Sequence, residues 1–84
     1  MKLIGRNRLG VLYGLDDDTD TWMHNWVSEI THANWKIPKD VIRQFPKARN
    51  IAQNIFAFPV GNQPQYIEVA MVFPQAVALV VGLK

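Results

Sequence analysis

The stretch Ile55–Leu83 reads IFAFPVGNQPQYIEVAMVFPQAVALVVGL, and its punctuation decides the fold. Ile55 to Val60 is rich in residues that favour strands. Gly61-Asn62-Gln63-Pro64 is a turn cluster. Tyr66 to Phe73 predicts a second strand and Val77 to Val81 a third. Pro74-Gln75 joins them, and Pro74 suits the second position of a β-turn. Two consecutive hairpins make an antiparallel meander. Pro59 has no N–H for a ladder bond, so its strand is expected at an edge or with a bulge. The longest apolar run, Val69 to Leu83, is broken by Pro74 and Gln75. It falls short of the roughly 20 residues of a membrane span.

Upstream the period changes from two to between three and four. Trp22, Met23, Trp26, Val27, Ile30 and Ala33 share one helical face, which predicts a helix from about Asp18 to Ala33. Asp16, Asp17, Asp18 and Asp20 crowd its start, where acids complement the helix dipole. Pro38 is tolerated at a first helical position, because its missing N–H would be unpaired there. A second helix then runs to about Phe45, with Val41, Ile42 and Phe45 inward, and Pro46 closes it. Met1 to Ile4 predicts a short strand. Asn7 to Tyr13 has helical spacing that Gly10 and Gly14 weaken. The order β-α-α-β-β-β gives a small α+β domain, with a small antiparallel sheet and helices packed on one face.

The chain has 84 residues and a mass of 9.6 kDa, which allows one core and one domain, spanning residues 1–84. Hydrophobic residues are 49% and charged residues 19%, a composition that excludes a disordered chain. Cysteine is absent, which excludes disulfide scaffolds, zinc fingers and iron–sulfur sites. With no secretory apolar core after Met1, the expected location is the cytoplasm. Net charge is only +2, but it is unevenly spread. Lys36, Lys39, Arg43, Lys47 and Arg49 face Asp40 alone within one segment, five bases against one acid. Such a stripe suits a polyanion or an acidic protein surface, although a charged run is more commonly just a solvated helix face.

Other chemistry fails on spacing. Asp16, Asp18 and Asp20 imitate the start of a calcium loop, but glycine at position six and glutamate at position twelve are replaced by Thr21 and Val27. His24 and His32 stand about 12 Å apart along a helix and cannot share a metal ion. Ser28 is the one serine and has no nucleophile-elbow pattern. Gly5, Gly10 and Gly14 do not form a phosphate loop. Glu29 and Glu68 lie in different elements with no partner for acid–base work. Trp22 and Trp26 read as core rather than as base-stacking platforms, and Trp35 as half-exposed beside Lys36. No metal site, cofactor or catalytic residue follows from composition and spacing.

Ala33-Asn34-Trp35-Lys36-Ile37-Pro38, followed by Gln44-Phe45-Pro46, resembles the HigB-type toxin family of the RelE/ParE superfamily. That family shows an A-[DN]-W-K-x-P segment, a short helix and x-F-P. Asn54-Ile55-Phe56-Ala57-Phe58, Gly61-Asn62 and Tyr66 resemble its following strand, turn and next strand. Met1-Lys2-Leu3-Ile4-Gly5-Arg6 is similar to its first strand and arginine. The likeness spans roughly residues 1 to 73. It implies a RelE/ParE-type fold and a toxin of a toxin–antitoxin pair that cuts messenger RNA on the ribosome without a metal ion. Its partner would be a small helix-turn-helix antitoxin. On this resemblance Lys36 and Arg6 are candidate nucleic-acid contacts, and Lys39, Arg43, Lys47 and Arg49 are candidates for RNA or antitoxin binding.

The sequence also departs from the family. The family's last strand ends in G-T-H-x-x-Y-D and a short helix, whereas Val81-Gly82 is followed here by Leu83-Lys84. Relatives carry arginine in the third and fourth strands, where this chain has Ala70 and an apolar run from Ala76 to Leu83. No catalytic residue carries over. A catalytically depleted relative that binds an antitoxin is the alternative reading. The superfamily's gyrase-poisoning branch is resembled less. Without the terminal helix, the strand ending at Leu83 is expected to expose an edge that invites self-association.

Overall fold

The structure, a computed structural model, describes residues 1–84. Its strands are β1 (Lys2–Ile4), β2 (Arg49–Ala52), β3 (Ile55–Pro59), β4 (Tyr66–Val72) and β5 (Val77–Leu83). A 3-10 segment (Arg6–Leu12) precedes α1 (Asp17–His32) and α2 (Pro38–Gln44). The α+β class holds, as do both helices and the β3–β4–β5 meander. The strands form one sheet in the order β1-β5-β4-β3-β2.

Two features correct the expected sheet. It is mixed, because β1 runs parallel to β5, pairing Lys2 with Val77 and Ile4 with Leu79. It has five strands, because Arg49–Ala52 folds back on β3 through the turn Gln53-Asn54. Asn54 takes a left-handed backbone with φ 62°, a conformation asparagine tolerates better than most residues. Pro59 lies beyond the last β2–β3 pair, Arg49 with Ala57, so β3 is locally an edge where the proline needs it to be. β5 is an interior strand. β1 takes its outer edge over Val77–Leu79, while Val80–Leu83 have no strand partner on that side.

Alternation sorts the sheet into two faces. Ile67, Val69 and Met71 of β4, Ala78 and Val80 of β5, and Phe56 and Phe58 of β3 are buried under the helices. Trp26 of α1 meets Phe58 edge-on at 5.4 Å, and Phe45, just after α2, meets the same ring at 5.2 Å. Phe58 therefore ties both helices to the sheet. On the other face Val72, Leu79, Val81 and Ile4 remain about two-fifths exposed.

Termini of the elements are satisfied locally. Asp16 caps α1 by accepting from the Thr19 N–H at 2.7 Å, and Gln63 Nε2 donates to its other oxygen at 2.9 Å. At the far end the Met1 ammonium donates to the carbonyls of Ile30, Thr31 and Ala33, placing a cation at the negative end of the helix dipole. Gly5 turns the chain out of β1 at φ 87°, and a Cβ there would stand 3.0 Å from the Val80 carbonyl. No helix is long and apolar enough to cross a membrane.

Candidate functional site

The Trp35–Pro46 segment is built around a fixed indole. Trp35 is 5% exposed rather than half-exposed. Its Nε1 donates to Gln44 Oε1 at 3.1 Å, and its ring meets Phe45 edge-on at 6.0 Å. These contacts join the strand-like approach to α2 with the end of the same helix. Pro38 begins α2 with its ring-fixed backbone. Trp35, Pro38 and Phe45 are thus structural, and Lys36 between them is left exposed.

Asp40, the one acid of the basic segment, acts as an internal cap. Its Oδ2 accepts from the backbone N–H groups of Lys36 at 2.9 Å and Ile37 at 3.3 Å. Its carboxyl is held below the ordinary value of 3.8, first by the Lys36 N–H; desolvation opposes this, and the Ile37 N–H and the nearby Arg43 charge add to the lowering. Arg43 approaches it at 3.6 Å with its side chain 77% exposed. A surface contact this open neutralises little of the guanidinium. Lys36, Lys39 and Lys47 have no ion-pair partner, because Arg43–Asp40 is the one ion pair in the molecule.

The fold divides the candidate cations into groups. Lys39 and Arg43 flank a shallow depression of about 500 Å³ completed by Pro38, Ile42 and Asn50. Lys47 lies on the rim of a neighbouring cleft of about 300 Å³, floored by Trp22, Phe45, Pro46 and Phe58. Lys36 is exposed just before Pro38, so α2 and its flanks carry a ridge of exposed cations spread over the depression, the cleft and the approach to α2. Arg49 is turned away from it. Arg49 pairs with Ala57, and Ala57 with Glu68, so all three belong to the sheet face opposite the helices. Arg6 follows β1, at the far edge of the sheet from β2. The structure brings Lys39 and Arg43 together at one depression, sets Lys47 at a separate cleft, leaves Lys36 exposed before α2, and puts Arg6 and Arg49 elsewhere.

Two parts of this region are absent from the sequence reading. Asn50 enters the depression because β2 exists. With its amide oriented to suit its surroundings, the Asn50 nitrogen donates to the carbonyls of Ala52 at 2.6 Å and Ile55 at 3.1 Å, bracing the hairpin. The aromatic cleft arises where Trp22 of α1 reaches the end of α2. Trp26 is fully buried, and Trp22, partly buried, stacks on it at 6.2 Å and packs against the core. The Asn-Ile-Ala-Gln-Asn run before Ile55 held the signal for β2, since an asparagine in a short polar turn before a strand marks a hairpin.

The other titratable groups do not converge. His32 donates through Nδ1 to the Ser28 carbonyl at 2.8 Å, within its own helix. Asp16 is held below 3.8, first by the Thr19 N–H, and serves as a cap. Asp20 accepts from the Gly14 N–H at 2.9 Å. No three His, Asp or Glu side chains meet. The arrangement supplies fixed positive charge beside an aromatic cleft, which is binding chemistry for an anion carrying flat groups. No protein-family model matches the chain, and no curated protein matches it.

Proposed function

We propose that this protein is a HigB-like toxin component of a toxin–antitoxin pair, acting on messenger RNA at the ribosome. The observation that carries the reading is the ridge of Lys36, Lys39, Arg43 and Lys47, whose one neighbouring acid is engaged as a helix cap. Lys36, Lys39 and Lys47 so placed meet phosphates without first breaking an internal ion pair, and Arg43 gives up only an open surface contact. The cleft of Trp22, Phe45 and Phe58 beside Lys47 offers an apolar seat for an unstacked base. The resemblance of the Trp35-Lys36-Ile37-Pro38 and Phe45-Pro46 segments supplies the identity of the polyanion. In the reaction it implies, a ribose 2′-oxygen attacks the adjacent phosphorus. Its proton leaves, the bond to the 5′-oxygen breaks, and that oxygen takes up a proton. Lysine and arginine stabilise the charge gathered on the phosphate.

A second reading is a catalytically depleted relative that retains antitoxin binding. It is favoured by the centre of the sheet face opposite the helices, where Ala70, Val77, Leu79 and Val81 are apolar at positions for which the resemblance implies arginine. The deciding experiment is cell-free translation with purified protein, mapping cuts by primer extension. Ribosome-dependent cuts at defined positions, weakened when Lys39, Arg43 and Lys47 are all changed to alanine, support the interferase. The search for its proton-transfer groups then starts with Arg6, Lys36, Arg43, Tyr66 and Lys84. Folded protein that cuts nothing rejects it and leaves the depleted form. Inhibition of DNA supercoiling would instead assign the gyrase-directed branch.

A further inference from the structure

No helix covers the sheet face away from α1 and α2, and of its residues only Ala57, between Arg49 and Glu68, is buried. Ile4, Val72, Leu79 and Val81 are each about two-fifths exposed, and Ala70 and Val77 fill the gaps between them. The register makes this a continuous patch. Ile4, Leu79, Ala70 and Ile55 stand side by side across β1, β5, β4 and β3. Contiguous apolar surface of this kind marks an interface, whereas an exposed apolar residue among polar neighbours, such as Ile37 between Lys36 and Lys39, does not.

The charges on the same face indicate what covers it. Lys2 stands one strand to one side of Leu79, in the row of Val77. Glu68 stands one strand to the other side, in the row just past Val81, at the β4–β5 bulge. Leu79 therefore lies midway between a cation and an anion. A two-fold axis through Leu79, in the plane between two facing copies, brings Lys2 of each copy over Glu68 of the other. Neither group has an ion-pair partner within the chain. Arg49, the face's other cation near Glu68, lies two strands from it and is unpaired as well.

We infer that this face binds a second copy of the chain, as an isologous dimer centred on Leu79 with two reciprocal Lys2–Glu68 pairs. The axis runs diagonally to the strands, so the sheets cross steeply, in the orthogonal class of sheet packing. Size fits a modest interface. Seven-residue strands and four inter-strand spacings give a face of roughly 19 by 23 Å. That is near the lower end of stable interfaces, which bury about 600 Å² per partner, and sets the expected dissociation constant in the micromolar range. This inference is independent of the RNA reading, which rests on the opposite side of the sheet.

Sedimentation equilibrium of the intact protein, from about 1 µM to about 1 mM, tests it. The expected mass rises from 9.6 kDa toward twice that value. Leu79→Lys should abolish the rise, with circular dichroism confirming that the variant is folded. Lys2→Glu and Glu68→Lys should each weaken association at least tenfold, and the double reversal should restore it. A monomer across the whole range overturns the inference. So does a dimer that survives Leu79→Lys, or one in which the double reversal behaves no better than the single changes.

Discussion

The two faces of the sheet use the same strands and each carries a run of apolar side chains, yet only one is covered. Under the helices, Ile67, Val69, Met71, Ala78 and Val80 are at most 1% exposed. One residue away along the same strands, Val72, Leu79 and Val81 keep about 40% of their surface. Apolar composition is therefore no guide to which side chains stabilise the monomer. Burial depends on whether a helix lies above the strand, and both helices lie on one side.

The sharpest way to break this comparison is to truncate one residue on each face. Phe58→Ala removes the ring shared by Trp26 and Phe45 and should cost about 4 kcal/mol in urea unfolding. Leu79→Ala, measured at a concentration where the protein is monomeric, should cost less than about 1 kcal/mol. Equal losses would mean that the open face is packed within the monomer. A smaller effect tests how the ridge is held. Trp35→Phe keeps the ring but removes the bond to Gln44, and should cost about 1 kcal/mol. Weakened RNA binding in that variant, with Lys36 untouched, would show that the indole positions the lysine.

How much of this was legible can be argued from single residues. The α1 face announced itself because Met23, Trp26 and Ile30 repeat at helical spacing, and all three are core. The meander was legible because Gly61 and Pro74 mark its turns. β2 was not, since all four of its residues are exposed and no alternation survives. Trp35 was misread as half-exposed because its neighbour Lys36 is charged, although its own partner, Gln44, lies nine residues away. The basic segment was legible as composition. That Arg49 leaves it was not, because strand pairing turns that side chain to the other face.

Two smaller effects sharpen the contrast at the margins of the sheet. Ala76 sits in the turn before β5 at φ 55°, where a Cβ is strained. Ala76→Gly should stabilise by up to about 1 kcal/mol, read as a higher urea midpoint. The pH dependence should come from the helix caps and not from the sheet. Asp16 and Asp40 have lowered pKa values in the folded protein. The unfolded chain therefore takes up their protons first on acidification. Their contribution is full above the ordinary carboxylate value of 3.8 and is lost as pH falls through the lower folded values. Asp16→Asn and Asp40→Asn should flatten the acid limb of a stability–pH profile. A profile unchanged in both variants would place the acid sensitivity elsewhere.

The sequence by itself determined the local structure: two helices, four of the five strands, their turns, and a cluster of positive charge around α2. Each follows from interactions between residues a few positions apart, which periodicity and turn chemistry record. Only the tertiary structure decided that β1 lies parallel to β5, that one apolar face is covered and the other open, and that Lys2 and Glu68 flank Leu79. Those facts depend on pairing between segments 75 residues apart in the chain for β1 and β5. Such pairing is selected by the packing of the whole core, and no short window of sequence contains it.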